Sequence, residues 1–216
     1  MRVAAFFDMD KTLLRCNSGA LWARYLRRRG EISLYETVRA FVWILQYKFA
    51  LLDFESVTRR LAADMKGQPE VELAEKCRQW VGEELVPQVF PTARERIARH
   101  RQDGHVVAML SSSSPYVAEP LAHELALDAV LCTRLEVQAG KFTGRVLPPV
   151  CFGAGKVTWA EQFAVEHDID LEQSWFYTDS YSDLPMLRRV GRQVAVNPDP
   201  RLRRFARRAG WTLEDW

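Results

Sequence analysis

Cysteine is scarce and scattered. The 216 residues hold four, Cys16, Cys77, Cys132 and Cys151, with no C-x-x-C spacing among them, which argues against a disulfide framework and for reduced thiols in a cytoplasmic protein. An excess of charge of one sign is also lacking. Thirty Lys and Arg stand against 28 Asp and Glu, a formal net charge of +2, so the whole chain makes no case for a nucleic-acid partner. A membrane-spanning run is missing as well. In the most apolar stretch, Val38 to Leu52, Arg39 and Lys48 bracket only eight uncharged residues, against the roughly 20 that a spanning helix needs. That stretch reads as a buried helix or as one whose apolar side touches lipid. No cleaved leader is expected, because a strand important to the chemistry begins at residue 2.

What is present begins with that strand. Val3 to Phe7 is a short apolar run that reads as a fully buried strand of a parallel sheet, and Asp8 and Asp10 follow at its carboxyl end. Residues two apart on extended backbone point the same way, so both carboxylates face one spot beyond the sheet edge, where open α/β sheets bind ligands. Two crowded carboxylates repel unless a divalent cation neutralises them or one holds a proton. Asp-x-Asp pairs also serve as turn formers and helix caps, so the rest of the chain must decide.

From Thr12 to about residue 86 the pattern is helical. Ser18 is expected to cap a helix carrying Leu21, Trp22, Tyr25 and Leu26 and stopping at Gly30, and Ser33-Leu34-Tyr35-Glu36 is a capping box opening the apolar helix. Asp53 caps a third helix ending near Gly67, and Pro69 is expected as the first residue of a fourth. Successive helices with no strand between them cannot belong to a parallel sheet, so residues 15–86 are expected to form a helical insertion within a core made of 1–14 and 87–216. From Pro91 on, helices of about ten residues alternate with strands ending at Ser111 and before Asp179, with a hairpin over 134–146 turning at Ala139-Gly140. This is the rhythm of a doubly wound parallel α/β sheet. A last helix from Pro200 to Ala209 carries Arg201, Arg203, Arg204, Arg207 and Arg208, read as a solvated face, with anion or membrane-surface contact as the alternative.

The polar groups at these strand ends suit attack on a phosphate monoester, whose dianion yields to an anionic nucleophile only if its charge is drained by a metal and fixed donors. Asp8 would be the nucleophile and Asp10 the general acid and later base, with a raised pKa. Asp8, the backbone carbonyl of Asp10 and Asp179 would offer Mg2+ hard oxygen ligands, and Asp183 would hold water beside the metal or orient Lys156. Ser111 would donate to a phosphoryl oxygen, Lys156 would neutralise its charge, and Thr12 would close the loop by hydrogen bonding near Asp8. Each has a plainer role available, as cap, turn or surface lysine, but their joint order at strand ends is hard to assign to chance.

Phe6-Phe7-Asp8-Met9-Asp10-Lys11-Thr12-Leu13, Met109-Leu110-Ser111-Ser112, Gly155-Lys156 and Tyr177-Thr178-Asp179-Ser180-Tyr181-Ser182-Asp183-Leu184-Pro185-Met186-Leu187 resemble the four signatures of haloacid dehalogenase-like phosphatases. The closing Val194-Ala195-Val196-Asn197-Pro198-Asp199-Pro200 and Gly210-Trp211 are similar to the branch that includes phosphoserine phosphatase, subfamily IB. The resemblance implies a Rossmann-like core, an all-helical C1-type cap inserted after the first signature, Mg2+ dependence and the roles just given, with Ser112 the fallback for Ser111. It also implies a substrate contact at position 17. Phosphoserine phosphatases carry an acid there for the substrate amine, and here it is Asn17. At the place of their cap arginine stands Leu61, with Arg59 and Arg60 beside it. The expected activity is therefore a Mg2+-dependent phosphatase acting on a small phosphorylated metabolite, phosphoserine-like or an amino-alcohol phosphate. Arg24, Arg27, Arg28, Arg29 and the apolar stretch at 38–52 keep a peripheral-membrane lipid-phosphate phosphatase as the alternative, and a non-catalytic binding module on the same fold is the third.

Overall fold

The computed structural model describes residues 1–33 and 54–216. The apolar helix expected over Val38–Leu52 and the cap at Asp53 lie outside the described residues. Strands β1 (Ala4–Phe7), β2 (Val106–Ser111) and β3 (Ala129–Cys132) are followed by a separate antiparallel hairpin, β4 (Arg134–Gln138) and β5 (Lys141–Leu147). Then come β6 (Trp175–Thr178), β7 (Arg192–Val196) and β8 (Thr212–Glu214). The main sheet runs β3-β2-β1-β6-β7-β8, and every pairing in it is parallel.

Every residue of β1 and β2 is buried. Successive side chains alternate between two apolar layers, which is why the strand reads as an unbroken apolar run. Ala5, Phe7, Val107, Met109 and Tyr177 point to one layer. Helices α4 (Pro91–Gln102) and α5 (Pro115–Glu124) cover it with Ala93, Ile97, Ala118 and Leu121. Ala4, Phe6, Ala108, Leu110 and Phe176 point to the other. Helices α6 (Ala154–His167), α7 (Leu184–Arg189) and α8 (Pro200–Ala209) cover it with Phe163, Met186, Leu187 and Leu202. Each fully buried aromatic or aliphatic side chain contributes about 1.5–3 kcal/mol, and β1 sits at the centre of both layers. Its end therefore places a reacting group on fully buried backbone near the middle of the sheet. The sixth strand, β8, was not foreseen. It is only three residues long and half-buried, following Gly210 in the left-handed region at φ 70, and its alternation is too short to register in sequence.

Three described α-helices precede α4, α1 (Ser18–Arg28), α2 (Phe54–Asp64) and α3 (Glu70–Trp80), the last running on into a π-helical turn at Val81–Leu85. The chain crosses between them and the sheet along two paired segments, with Arg15 N–H donating to Gln88 O and Phe90 N–H to Leu13 O. Asn17, not Ser18, is the N-cap of α1, and Pro69 is the residue before α3 rather than its first. The β4–β5 hairpin reaches over to these helices. Gly67 N–H donates to Phe142 O, Phe142 N–H to Gln68 O and Glu70 N–H to Gly140 O. Gly144 lies so close to the end of α2 that a Cβ there would come within 3.4 Å of Ala63 Cα and 3.1 Å of the Lys66 side chain just beyond the helix.

Candidate active site

The parallel ladder aligns Phe7 with both Met109 and Tyr177, and Asp8 continues it by one step, its N–H donating to Tyr177 O at 2.9 Å. Asp8 and Asp10 thus emerge at the carboxyl edge between the ends of β2 and β6. Ser111 is the last residue of β2 and is buried, its Oγ accepting from Ser113 N–H at 3.2 Å, while Ser112 beyond it is partly exposed. Asp179 is the first residue after β6.

Lys156 enters from the first turn of α6 and is 2% exposed. Its Nζ donates to Asp8 Oδ1 at 2.6 Å and to Asp183 Oδ2 at 2.8 Å. Gly155 before it lets the helix start press against the preceding loop: a Cβ there would fall 1.9 Å from Val150 O. Thr178 Oγ1 adds a second bond to Asp183 Oδ2 at 2.7 Å. Burial alone would lower the ammonium's pKa, but Asp183 and Asp8 hold it well above the usual lysine range. The cation is permanent. Its two buried carboxylate partners make it far costlier to remove one member than to keep all three.

Burial pushes the Asp8 carboxyl up to about 7 against the pull of Lys156, with Asp183 and Asp10 adding repulsion. Asp179 is pushed up to about 8, by burial first and then by the charge of Asp8. Asp10 is raised by burial and drawn back by hydrogen bonds from Ser18. It accepts at both oxygens: Asn17 Nδ2 donates to Oδ2 at 2.9 Å, and Ser18 N–H to Oδ1 at 3.0 Å. The sequence-predicted residues Asp8, Asp10, Lys156, Asp179 and Asp183 therefore share one electrostatic environment at the sheet edge.

One expectation changes. Thr12 is fully buried and its Oγ1 has no hydrogen-bond partner among the described residues, so the bond expected near Asp8 is not made. Asn17, expected on the substrate, is bonded to Asp10 through Nδ2 and to its own helix through Oδ1. Asp183 accepts from both Lys156 and Thr178 at Oδ2, an arrangement that suits the orienting of the lysine.

Among the described residues no three Asp, Glu, His or Cys side chains gather as a ready-made cation cage. The donor chemistry nevertheless fits Mg2+, which binds through one or two carboxylates and keeps several waters. Asp8 and Asp179 are carboxyl oxygen donors at one sheet edge, and the charge of Asp8 raises the pKa of Asp179, a repulsion that a bound cation would relieve.

Residues missed from sequence lie around Asp179. Asp199 accepts from Tyr181 N–H at 2.7 Å, its own N–H donates to Asp179 O at 2.8 Å, and its Oδ1 caps α8. Asn197 Nδ2 donates to Lys11 O at 3.3 Å, tying β7 to the loop after β1. Both sit in the Asn197-Pro198-Asp199-Pro200 segment, whose polar residues between prolines were the available signal. Thr178 carried none, since a threonine ending a strand is commonplace.

A model of the haloacid dehalogenase-like hydrolase family matches residues 5–188. The chain belongs to that family. Within it, the chain is 30% identical to a histidinol-phosphatase of Neisseria meningitidis over 99% of this chain and 98% of that protein. It is 32% identical to phosphoserine phosphatase SerB1 of Mycobacterium tuberculosis over 100% of this chain and 71% of that protein. Among solved structures, a protein of unknown function from Bordetella pertussis Tohama I superposes with a TM-score of 0.90 at 29% identity, covering 100% of this chain and 99% of that one. A phospho-aspartyl intermediate analogue of phosphoserine phosphatase superposes at 0.69 with 24% identity, covering 99% and 93%. The second likeness speaks for the haloacid dehalogenase-like fold alone.

Proposed function

We propose that this phosphoric monoester hydrolase acts on a small amino-alcohol phosphate or a phosphoserine-like metabolite, with Asp8 as nucleophile and Mg2+ as metal. The observation that carries the reading is the buried Lys156 bonded to both Asp8 and Asp183 at the end of the central strand. A lysine there keeps one Asp8 oxygen fixed and offsets the negative charge that accumulates when a phosphate dianion approaches. Asp8 and Asp179, with the Asp10 carbonyl, would hold Mg2+. When bound, the metal supplies charge neutralisation at the phosphoryl oxygens.

The residues then have a defined sequence of tasks. An Asp8 oxygen attacks phosphorus and the bond to the leaving oxygen breaks. Asp10 gives that oxygen its proton, releasing the alcohol and leaving an aspartyl phosphate. Asp10, now ionised, takes a proton from water as the water attacks phosphorus, and the Asp8 carboxylate is regenerated with release of inorganic phosphate.

On substrate class, the relative that the chain matches end to end is named for histidinol phosphate, an amino alcohol ester with no carboxylate. Leu61, at the position aligned with a carboxylate-binding arginine, is 49% exposed, and Arg59 two residues before it is ion-paired with Glu55. Neither of these two residues provides for a substrate carboxylate. Of the four arginines behind the lipid-phosphate alternative, two are engaged in surface ion pairs, Arg28 with Glu84 and Arg29 with Glu31.

Phosphate release from histidinol phosphate, phosphoethanolamine, phosphoserine, a sugar phosphate and a nucleotide, each with Mg2+, tests the reading. Turnover led by an amino-alcohol phosphate and abolished by Asp8→Asn is expected. Full activity in excess chelator or in Asp8→Asn would remove the mechanism, and a preference for the sugar phosphate or the nucleotide would remove the substrate class.

A further inference from the structure

Asn17 opens α1, and the two ends of its amide meet different partners. Its Oδ1 accepts from Ala20 N–H at 2.9 Å, and its Nδ2 donates to Asp10 Oδ2 at 2.9 Å. The helix cap decides which end faces the carboxyl. An unpaired N–H in the first turn can be met only by an acceptor, so the oxygen turns to the helix and the NH2 group turns to Asp10. The next residue completes the grip, Ser18 N–H donating to Asp10 Oδ1 at 3.0 Å. Asp10 is thus held at both oxygens by donors from a single helix start.

That grip restricts where a proton on Asp10 can point. Two N–H groups occupy one lone pair on each oxygen, and the carboxyl plane cannot turn without breaking both bonds. We propose that Asn17 is a positioning residue: it aims the Asp10 proton at the leaving oxygen and does not bind the substrate amine. The proposal rests on the phosphatase reading above. As the P–O bond breaks, its electron pair goes to the leaving oxygen. An alkoxide needs the Asp10 proton at that moment, whereas a nitrophenolate leaves without it. The chemistry of the amide also speaks against amine recognition. Its one acceptor atom is turned toward the helix start, where it already takes the Ala20 N–H, and the N–H that remains is a donor, which an ammonium group cannot use.

The test compares kcat/KM for two alkyl phosphates, phosphoethanolamine and glycerol phosphate, with that for p-nitrophenyl phosphate, all with Mg2+. The proteins are the full-length wild type, Asn17→Gly and Asn17→Ser. Glycine and serine are both accepted at an N-cap, so the helix start is preserved, and serine's side chain stops short of Asp10. Both variants are expected to lose about 10–100-fold in kcat/KM on both alkyl esters, part of what general-acid catalysis supplies, and to keep kcat/KM for p-nitrophenyl phosphate within about threefold. Equal losses on aryl and alkyl esters, or no loss on either, would overturn the proposal. So would a rise in KM confined to the amine-bearing ester with kcat unchanged, which would make Asn17 a substrate ligand. A wild type inactive on all three esters would overturn the phosphatase reading itself, and the role of Asn17 with it.

Discussion

Asp8 and Asp10 lie two residues apart on one strand end, yet different parts of the molecule hold them. Asp8 is gripped by Lys156 from α6, which is shared with Asp183 and backed by Thr178. All of these come from the sheet and the helices packed on it. Asp10 is gripped by Asn17 and Ser18, at the point where the chain leaves the sheet for α1. The difference separates two jobs. The group proposed to accept phosphorus is fixed to the most deeply packed part of the fold by charge, while the group proposed to move protons is fixed to the start of α1 by neutral donors. A displacement of α1 would therefore disturb proton transfer before it disturbed the nucleophile.

Removing the charge from the Asp8 side should have the largest effect. In Lys156→Met the carboxylates of Asp8 and Asp183 stay buried without their shared cation, a loss expected to cost about 3–5 kcal/mol. Urea denaturation at pH 8, where that repulsion is felt most, measures it, and phosphatase activity should fall to background in the same sample. A Lys156→Met protein with wild-type stability would mean that the two carboxylates tolerate each other, and the proposed division between charge-held and donor-held halves would fail.

Much of the Asp8 half was legible in the sequence, and the reason is chemical. Apolar runs ending in Asp, Ser or Asp mark buried strands with polar termini. Gly155-Lys156 and Asp183 stood out because a lysine that starts one helix and an acid that precedes another can meet across the sheet edge, as Lys156 Nζ and Asp183 Oδ2 do at 2.8 Å. The Asp10 half was less legible. Asn17 and Ser18 are both good cap residues, and nothing in their order says which one caps and which lends its backbone to Asp10. Thr12 misled because a hydroxyl beside two acids suggests a hydrogen bond, while its burial in the turn follows from the packing of Leu13 and Leu14, both 0% exposed. β8 and the reach of the hairpin toward α2 depend on long-range pairing that local alternation does not encode.

Asp10→Asn probes the other half and should separate activity from stability. The amide keeps the shape of the side chain but carries no acidic proton, so turnover of an alkyl phosphate is expected to drop roughly 100-fold or more. One of the two donors now meets an NH2 group instead of an oxygen, which costs about 1–3 kcal/mol. Steady-state kinetics and urea denaturation read the two quantities. The comparison with Lys156→Met is sharpened if the fold survives in Asp10→Asn while turnover does not, and it is broken if Asp10→Asn destabilises as much as the lysine change.

The smallest effect concerns what lies beneath the Asp8 side. Phe7 stacks on Tyr177 at 4.4 Å, and Tyr177 shares a hydrogen bond of 2.8 Å with the buried His100 Nε2. Burial, with His105 and Arg96 nearby, pushes His100 down to about 4 from the ordinary 6.5. Between those values the unfolded chain binds a proton that the folded one refuses, so this histidine's contribution to stability is lost as pH falls from about 6.5 to about 4. The raised carboxyls of Asp8 and Asp179 act in the opposite direction, favouring the metal-free fold as pH falls from about 8. The informative quantity is thus the difference between wild type and His100→Gln, whose amide can still meet the tyrosine hydroxyl but does not titrate. Stability relative to that variant should fall on acidification through this window and level off below pH 4. A difference that does not change between pH 7 and 4 would show that His100 is protonated as easily in the fold as outside it, and the support under Asp8 would then be no more pH-sensitive than the helix start that holds Asp10.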